Sequence, residues 1–243
     1  MNAVIDLGNT FAKIGWFEGN ELLEMQRKIP FGQINALLLA QLPQNALFSS
    51  TSHNTQPFAD ALVAAGCSAW QLNADLPVPI GKDYETPETL GPDRVAAAVG
   101  ATVLFPNENC VVIDMGTCVT YDWVSADAVF HGGLISPGLR IRFEAMHTFT
   151  KKLPLVEADG FPPLNGKNTR QAMQSGAVNG LLAEVEGIIA RYRFERGDCR
   201  VLLCGGDATF FESQLKKSIF AVPNLVLIGL NRILQYNVSS QKV

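Results

Sequence analysis

A short strand-and-turn pattern that occurs twice constrains this chain more than any other feature. The segment V-I-D-L-G at 4–8 recurs as V-I-D-M-G at 112–116, and in both copies an apolar strand delivers an aspartate to a glycine turn. A second β-forming run follows each turn, and Trp16 and Trp123 fall at similar places in the two runs. A repeat spaced by about half the chain indicates two halves of similar construction.

Each half continues with alternating helix and strand patterns, which predicts two α/β lobes with mixed sheets. We place the first lobe at residues 1–108 and the second at 109–243. Helices are predicted over 32–42, 58–65, 93–105 (with Val95 and Val103 on one face) and roughly 169–193, and loops over 73–92 and 132–138. The apolar run at 225–228 is predicted as a strand that precedes a last helix.

Composition excludes several classes of protein. Apolar residues make up 47% of the 243 residues, so the chain can bury a core, and its net charge of -4 does not suit a protein that coats nucleic acid or anionic lipid. We find neither an apolar run long enough to span a membrane nor a basic segment typical of a secretory signal. Five widely spaced cysteines without a C-x-x-C suit a reducing compartment, so we expect a cytoplasmic protein.

The two turns have the chemistry of a phosphate site. Glycine lets the backbone approach a ligand, and successive N–H groups in such a turn attract anions. Thr10 and Thr117 add hydroxyl donors, and Lys13 adds a positive charge. Because Asp6 and Asp114 would repel a polyphosphate, they imply Mg²⁺ or another bridging cation. One copy alone is more typical of a plain hairpin turn, whereas two copies favour the phosphate site.

A third acidic residue lies in G-P-D-R at 91–94, where Pro92 starts a predicted helix. Asp93 is either an ordinary helix-start acid or a carboxylate that accepts a proton from a substrate hydroxyl. The helix N-terminus is expected to lower its pKa. Arg94 is either a solvated helix charge or a partner for a substrate carboxylate or phosphate.

The two turns, together with Gly205-Gly206 after a strand, resemble the actin-like ATPase and sugar kinase superfamily. That resemblance implies two ribonuclease-H-like lobes with mixed β-sheets and a nucleotide cleft between them. From Asp6 to about Leu234 the chain resembles, more narrowly, the type III pantothenate kinases. The matching segments are D-L-G-N-T (6–10), Y-x-x-P-x-x-L-G-P-D-R (84–94), D-M-G-T-C-V-T (114–120), G-G-L-I-S-P-G (132–138), T-K-K-L-P (150–154), N-T-x-x-A-M-Q-S-G (168–176), C-G-G-D-A (204–208) and L-x-L-x-G-L (225–230).

This resemblance implies ATP-dependent phosphorylation of pantothenate to 4'-phosphopantothenate, the first step towards coenzyme A. It implies that Asp93 accepts the proton and that Asp114 binds a monovalent cation, K⁺ or NH₄⁺, while Mg²⁺ accompanies ATP. The residues implied to hold the ATP phosphates are Asp6, Leu7, Gly8, Asn9, Thr10, Phe11, Ala12, Lys13 and Thr117. Those implied to contact pantothenate are Tyr84, Gly91, Pro92, Asp93, Arg94 and Thr169. The family is dimeric, with the pantothenate site near the subunit boundary.

Two alternatives stay open at this point. The chain could be another small-molecule kinase or ATPase of the superfamily, or a catalytically inactive regulatory relative. We see no added helix-turn-helix segment or basic arm, and all three aspartates of the expected site are present. Thr86, Pro92 and Lys151 depart from the family pattern and affect only the expected pantothenate contacts.

The predicted long helix has two interpretations as well. An apolar stripe that includes Met173, Leu181 and Val185 indicates core packing. Gly176 and Gly180 form a G-x-x-x-G that lets two helices approach closely, so the same helix could form the contact between two subunits.

Overall fold

The computed structural model describes residues 1–215 and 219–240, which group into two compact units. The first unit contains residues 1–108, 124–132 and those from 224 onward, and the second contains residues 109–123 and 133–223. The simpler lobe boundary between residues 108 and 109 stays a prediction.

Strands and helices alternate along most of the chain, as expected for an α/β protein. The strands are β1 (Asn2–Leu7), β2 (Ala12–Glu18), β3 (Glu21–Ile29), β4 (Asn45–Ser50), β5 (Ser68–Gln71), β6 (Gly81–Lys82), β7 (Cys110–Met115), β8 (Cys118–Val124), β9 (Val129–Pro137), β10 (Arg200–Cys204) and β11 (Ile219–Ala221). The α-helices are α1 (Ile34–Ala40), α2 (Gln56–Ala64), α3 (Pro92–Leu104), α4 (Leu139–Thr148), α5 (Thr169–Arg196), α6 (Ala208–Glu212) and α7 (Leu225–Ser240).

The sheet of the first unit has the strand order β3-β2-β1-β4-β5. It is mixed, because β1, β2 and β3 pair antiparallel whereas β1, β4 and β5 pair parallel. Side chains alternate between its faces, so Ala3, Ile5 and Leu7 of β1 form one buried cluster with Ile34 of α1 and Leu62 of α2. The helices α3 and α7 pack on the sheet as well, through β4 and β1.

The helices α3 and α7 approach each other closely because glycines face the contact. A Cβ added at Gly229 would lie 1.7 Å from the carbonyl oxygen of Ala96, and one at Gly100 would lie 2.4 Å from the carbonyl oxygen of Leu225. Backbone therefore packs directly on backbone where α3 crosses α7. This contact fixes the helix whose first turn carries Asp93.

The other mixed sheet has the strand order β11-β10-β7-β8-β9-β6, and its strands β7, β10 and β11 belong to the second unit. Strand β10 pairs parallel with both β7 and β11. The stripe of α5 predicted as core is buried there, with Met173, Leu181 and Val185 in one cluster with Val111 and Ile113 of β7. Core packing is thus confirmed for this face of the helix.

The structure corrects the sequence prediction in four places. The run at 225–228 is the start of helix α7, because a uniformly apolar segment buried on several sides has no strand period to distinguish it. The predicted loop at 132–138 belongs largely to strand β9, and the predicted loop at 73–92 contains the short strand β6. Val103 is 38% exposed, because the buried part of α3 ends at Ala101. None of the helices in the described residues is long and apolar enough to span a membrane.

Candidate active site

The first glycine turn is anchored in the core of the first unit at both ends. Leu7 at the end of β1 and Ala12 at the start of β2 are buried, so only their backbone can face a ligand. The N–H of Gly8 donates to the carbonyl oxygen of Phe11 at 3.2 Å and closes the turn. The exposed residues of this turn are Asn9, Thr10 and Phe11.

Asp6 and Lys13 are brought together by the register of β1 and β2. They are directly opposite each other in the antiparallel pair, which puts their side chains on the same face of the sheet. Ser49 of β4 is the neighbour of Asp6 on the parallel side, and Ser52 donates to the side-chain oxygen of Asn9 at 3.3 Å. The predicted phosphate turn therefore carries a carboxylate, an ammonium group and exposed backbone in one place.

The second glycine turn joins β7 to β8, and two distant segments press against it. The N–H of Gly138 donates to the carbonyl oxygen of Thr117 at 3.1 Å, and a Cβ at Gly138 would lie 2.4 Å from that same oxygen. Gly205 has a φ of +96°, and a Cβ there would lie 2.5 Å from a carboxylate oxygen of Asp114. Only glycine permits both approaches. Asp114 is half-buried and Thr117 is exposed, so the turn keeps an open side.

Asp93 lies in the first turn of α3, after Gly91 at the N-cap and Pro92. One carboxylate oxygen accepts a hydrogen bond from the N–H of Arg94 at 2.9 Å. Burial raises the pKa of Asp93, and the backbone hydrogen bonds and the charge of Arg94 offset this only in part. Our expectation that the helix N-terminus lowers this pKa is therefore wrong, because the loss of water around the carboxylate outweighs the helix.

Arg94 is 7% exposed, so the interpretation as a solvated helix charge is wrong. Its guanidinium carbon lies 5.5 Å from the ring centre of Phe130 and 6.0 Å from that of Tyr84, within the range of cation–π contacts. The two rings meet edge to face at 5.9 Å. Gly132, at a φ of +79°, lets the chain pass the ring of Tyr84. The structure thus joins Tyr84, Asp93 and Arg94 in one place within the first unit.

Thr169, the remaining residue expected to contact pantothenate, is the first residue of α5 in the second unit and is exposed. Asn168 before it accepts a hydrogen bond from the N–H of Gln171 at 2.9 Å and so caps the helix. The N-T pair of the segment at 168–176 therefore combines a cap with an exposed hydroxyl.

Sequence reasoning missed two residues of these sites. Phe130 underlies Arg94, although nothing in its sequence neighbourhood distinguishes it from ordinary core. The N–H of Asp207 donates to the carbonyl oxygen of Met115 at 2.9 Å, and burial raises the pKa of its carboxyl group. Asp207 directly follows the Gly205-Gly206 pair, and this position could have identified it as a candidate site residue from the sequence.

The donor set suits a cation that shares its ligands with a nucleotide. Among the described residues, no group of three or more His, Cys, Asp and Glu side chains could hold a metal ion. Each glycine turn instead offers one aspartate next to a threonine, and oxygen donors of this kind suit Mg²⁺ and K⁺. Mg²⁺ in particular is commonly held by one or two carboxylates together with phosphates and water.

Comparison with known families and curated proteins gives one consistent result. The model of the family "Type III pantothenate kinase" matches residues 3–191. A type III pantothenate kinase of Cytophaga hutchinsonii is 45% identical over 238 residues, which cover 98% of this chain and 100% of that protein. One from Phocaeicola vulgatus is 41% identical over 243 residues, with 98% and 99% covered.

Solved structures confirm the predicted fold class. An activator of 2-hydroxyisocaproyl-CoA dehydratase from Clostridium difficile, solved with bound ADPNP, has a TM-score of 0.57 at 10% identity and covers 100% of this chain and 97% of its own. A ROK family protein from Streptococcus pneumoniae has a TM-score of 0.53 at 12% identity, with 98% and 99% covered. At these identities the likeness concerns the fold, which is that of the actin-like ATPases and sugar kinases.

Proposed function

The chain belongs to the type III pantothenate kinase family, and from this premise we propose how its residues transfer the γ-phosphoryl group of ATP to pantothenate. The protein is an ATP-dependent kinase of coenzyme A biosynthesis. Its membership of this family favours pantothenate kinase activity over an inactive regulatory relative and over a kinase for another acceptor. The observation that carries the assignment of roles is the half-buried Asp93 carboxylate, whose pKa burial raises, beside the buried Arg94 at the start of α3.

Asp93 is the proton acceptor. The primary hydroxyl oxygen of pantothenate attacks the γ-phosphorus, the bond from that phosphorus to the β,γ-bridging oxygen breaks, and the hydroxyl proton passes to the Asp93 carboxylate as ADP leaves. Phosphoryl transfer goes through a loose transition state, so positioning matters more than early deprotonation. A pKa raised by burial makes Asp93 a stronger base than an exposed aspartate, which supports this role.

The two glycine turns hold the phosphates of ATP. In the first turn Lys13 offsets phosphate charge and the backbone at residues 7–12 supplies N–H donors, and Thr117 contributes its hydroxyl from the second turn. Asp114 would hold K⁺ or NH₄⁺, and Mg²⁺ would accompany ATP. When bound, these cations would neutralise charge on the phosphates. The oxygen donors at both turns support the proposal.

Pantothenate lies against Tyr84, Arg94 and Thr169, with Gly91 and Pro92 forming the helix start beside it. Its carboxylate suits the guanidinium of Arg94, because a planar fork pairs with a carboxylate through two hydrogen bonds. The rings of Phe130 and Tyr84 keep that guanidinium in place. Pro92 departs from the family pattern without harm to the helix start, because its missing N–H would have no helical partner there.

The active protein is a homodimer. A groove of about 530 Å³ lies along the small-residue face of α5, with Gly176 and Gly180 on its floor. Leu164 at its edge is 78% exposed. A second copy of the chain would cover this face and would lie near Thr169 at the start of the same helix, which supports a pantothenate site near the subunit boundary.

A reducing cytoplasm is the proposed location. The five cysteines all lie within the described residues, and none of them forms a disulfide. Four of them (Cys67, Cys110, Cys199 and Cys204) are buried in the cores, where they pack as small apolar side chains.

A coupled assay of ADP release tests the assignment. With ATP, Mg²⁺ and K⁺, release should require pantothenate, and other alcohols and acids should replace it poorly. Exchange of K⁺ for Na⁺ should lower the rate through the site at Asp114. A better acceptor than pantothenate would contradict the substrate, and indifference to the monovalent cation would contradict the role of Asp114.

A further inference from the structure

A polar network in the second unit joins four elements close to the second glycine turn. One carboxylate oxygen of Glu184 in α5 accepts a hydrogen bond from the hydroxyl of Tyr121 in β8 at 2.8 Å. Its other oxygen accepts one from the guanidinium of Arg142 in α4 at 2.5 Å. The same guanidinium nitrogen donates to the hydroxyl of Ser136 in β9 at 3.0 Å. Tyr121 thus holds Glu184, which in turn holds Arg142.

Arg142 also bonds to the end of β9. Its Nε–H donates to the carbonyl oxygen of Pro137 at 2.9 Å. The next residue is Gly138, whose N–H is bonded to the carbonyl oxygen of Thr117 and whose Cα packs on the backbone of the turn. Arg142 therefore fixes the two residues that precede the contact with the second glycine turn.

The network is shielded enough to hold its geometry. The side chains of Arg142 and Glu184 are 20% and 27% exposed. Burial raises the pKa of Glu184, but the hydrogen bonds from Arg142, Tyr121 and Ser136 outweigh it and leave this pKa below its usual value. The Glu184 carboxylate is therefore charged at neutral pH. Because the guanidinium of Arg142 is planar and rigid, the side chain loses little conformational freedom when it binds Ser136 and Pro137.

We infer that Arg142, held by Glu184 and Tyr121, is a positioning residue for the second glycine turn: through Ser136, Pro137 and Gly138 it keeps Thr117 and Asp114 in place for ATP and its cation. This inference rests on the proposed role of that turn. The hydrogen bonds that the structure describes for Arg142 go to Pro137, Ser136 and Glu184 and to no residue of the proposed pantothenate site, so loss of Arg142 should affect ATP and K⁺ while pantothenate binding stays as it was.

Steady-state kinetics of R142Q and R142K test it against R140Q. Arg140 is on the same helix and is exposed in an ion pair with Glu144, so R140Q changes the same charge without touching β9. For R142Q we expect the KM for ATP and the half-saturating K⁺ concentration to rise by about tenfold, on the scale of a lost charged hydrogen bond. The KM for pantothenate should change by less than about twofold. R142K should recover part of the loss, because a lysine can replace only one of the three bonds.

The variant T117A separates failure of this inference from failure of the proposed site. If T117A raises the KM for ATP and R142Q does not, the turn keeps its role and the positioning by Arg142 is wrong. If neither variant changes it, the role of the turn is wrong and the inference falls with it. Equal changes for ATP and pantothenate in R142Q would show a merely structural residue. Should R142Q fail to fold, E184Q replaces it, because glutamine keeps the shape of the network. E184Q must then raise the KM for ATP and the half-saturating K⁺ concentration without raising the KM for pantothenate. If it does not, the inference is overturned.

Discussion

Among single residues, Asp93 combines two properties that oppose each other. The proposed proton transfer needs its carboxylate charged and shielded from water, whereas the burial of a charged carboxylate opposes folding. The N–H of Arg94 and the charge of its guanidinium stabilise the carboxylate, yet burial still raises its pKa. The burial of Asp93 therefore lowers the stability of the folded protein, and the proposed proton transfer requires this burial.

Replacement of Asp93 by asparagine should lower kcat strongly. The amide keeps the size of the side chain and can still accept the hydrogen bond from Arg94, but it cannot take the hydroxyl proton. We expect a loss of about 10²-fold or more, on the scale of general base catalysis. The Kd for ATP, measured by calorimetry, should change little. Turnover near that of the wild-type protein would remove Asp93 from its role.

The same variant should be more stable than the wild-type protein at neutral pH. Because the folded pKa of Asp93 lies above the unfolded one, the folded state binds the proton more tightly. The wild-type protein therefore loses stability as pH rises from the unfolded pKa, about 4, through the folded pKa, and D93N does not. Tm measured from pH 4 to 8 should show a gap that widens with pH and then levels. A constant gap would contradict the direction of the pKa shift.

Among elements, α3 matters most for the site because it carries Asp93 and Arg94 in one turn. Its residues from Arg94 to Ala101 are buried, and its crossing with α7 leaves room for no side chain at Gly229. The first turn of the helix is therefore fixed by packing further along the same helix. A disturbance of the crossing should reach the site without any change to a reacting group.

G229A should destabilise the protein by about 1–3 kcal/mol or more, because its Cβ would overlap the carbonyl oxygen of Ala96. The matched control is G32A in the same unit, where an added Cβ meets nothing within 4 Å. G32A should be neutral or stabilising by about 0.4–1 kcal/mol through the unfolded state. Urea unfolding of both variants checks this, and equal stability of the two would contradict the close helix crossing.

For the whole molecule, the groove on α5 connects the proposed homodimer with the proposed pantothenate site. The helix buries its stripe of large residues in the core and leaves the small residues Gly176 and Gly180 exposed. A helix that is apolar on the core side and small on the other is suited to a second close helix contact. Thr169 begins this helix, so a subunit contact along it would bring two chains near one pantothenate site.

G180E should convert the proposed homodimer into a monomer, because it places a charged side chain into a close apolar contact. An added Cβ at Gly180 meets nothing within 4 Å in the single chain, so the monomer itself should fold. A190E, at an exposed position of α5 that does not line the groove, is the matched control. Sedimentation velocity should show about half the mass for G180E alone. A dimer that persists in G180E would place the subunit contact elsewhere.

The two aspartate–glycine turns, the alternation of strands and helices and the helix start at Pro92 were all predictable from the sequence, because each depends on neighbours within a few residues. The packing against these elements was not. Whether the run at 225–228 was strand or helix, whether Arg94 was solvated, and in which direction the pKa of Asp93 moved all depended on groups distant in the chain, such as Phe130 and α7. The local sequence pattern determined the positions of the acidic residues in the strands, turns and helices. Tertiary packing decided how far each carboxylate is exposed to water, and that exposure sets its pKa.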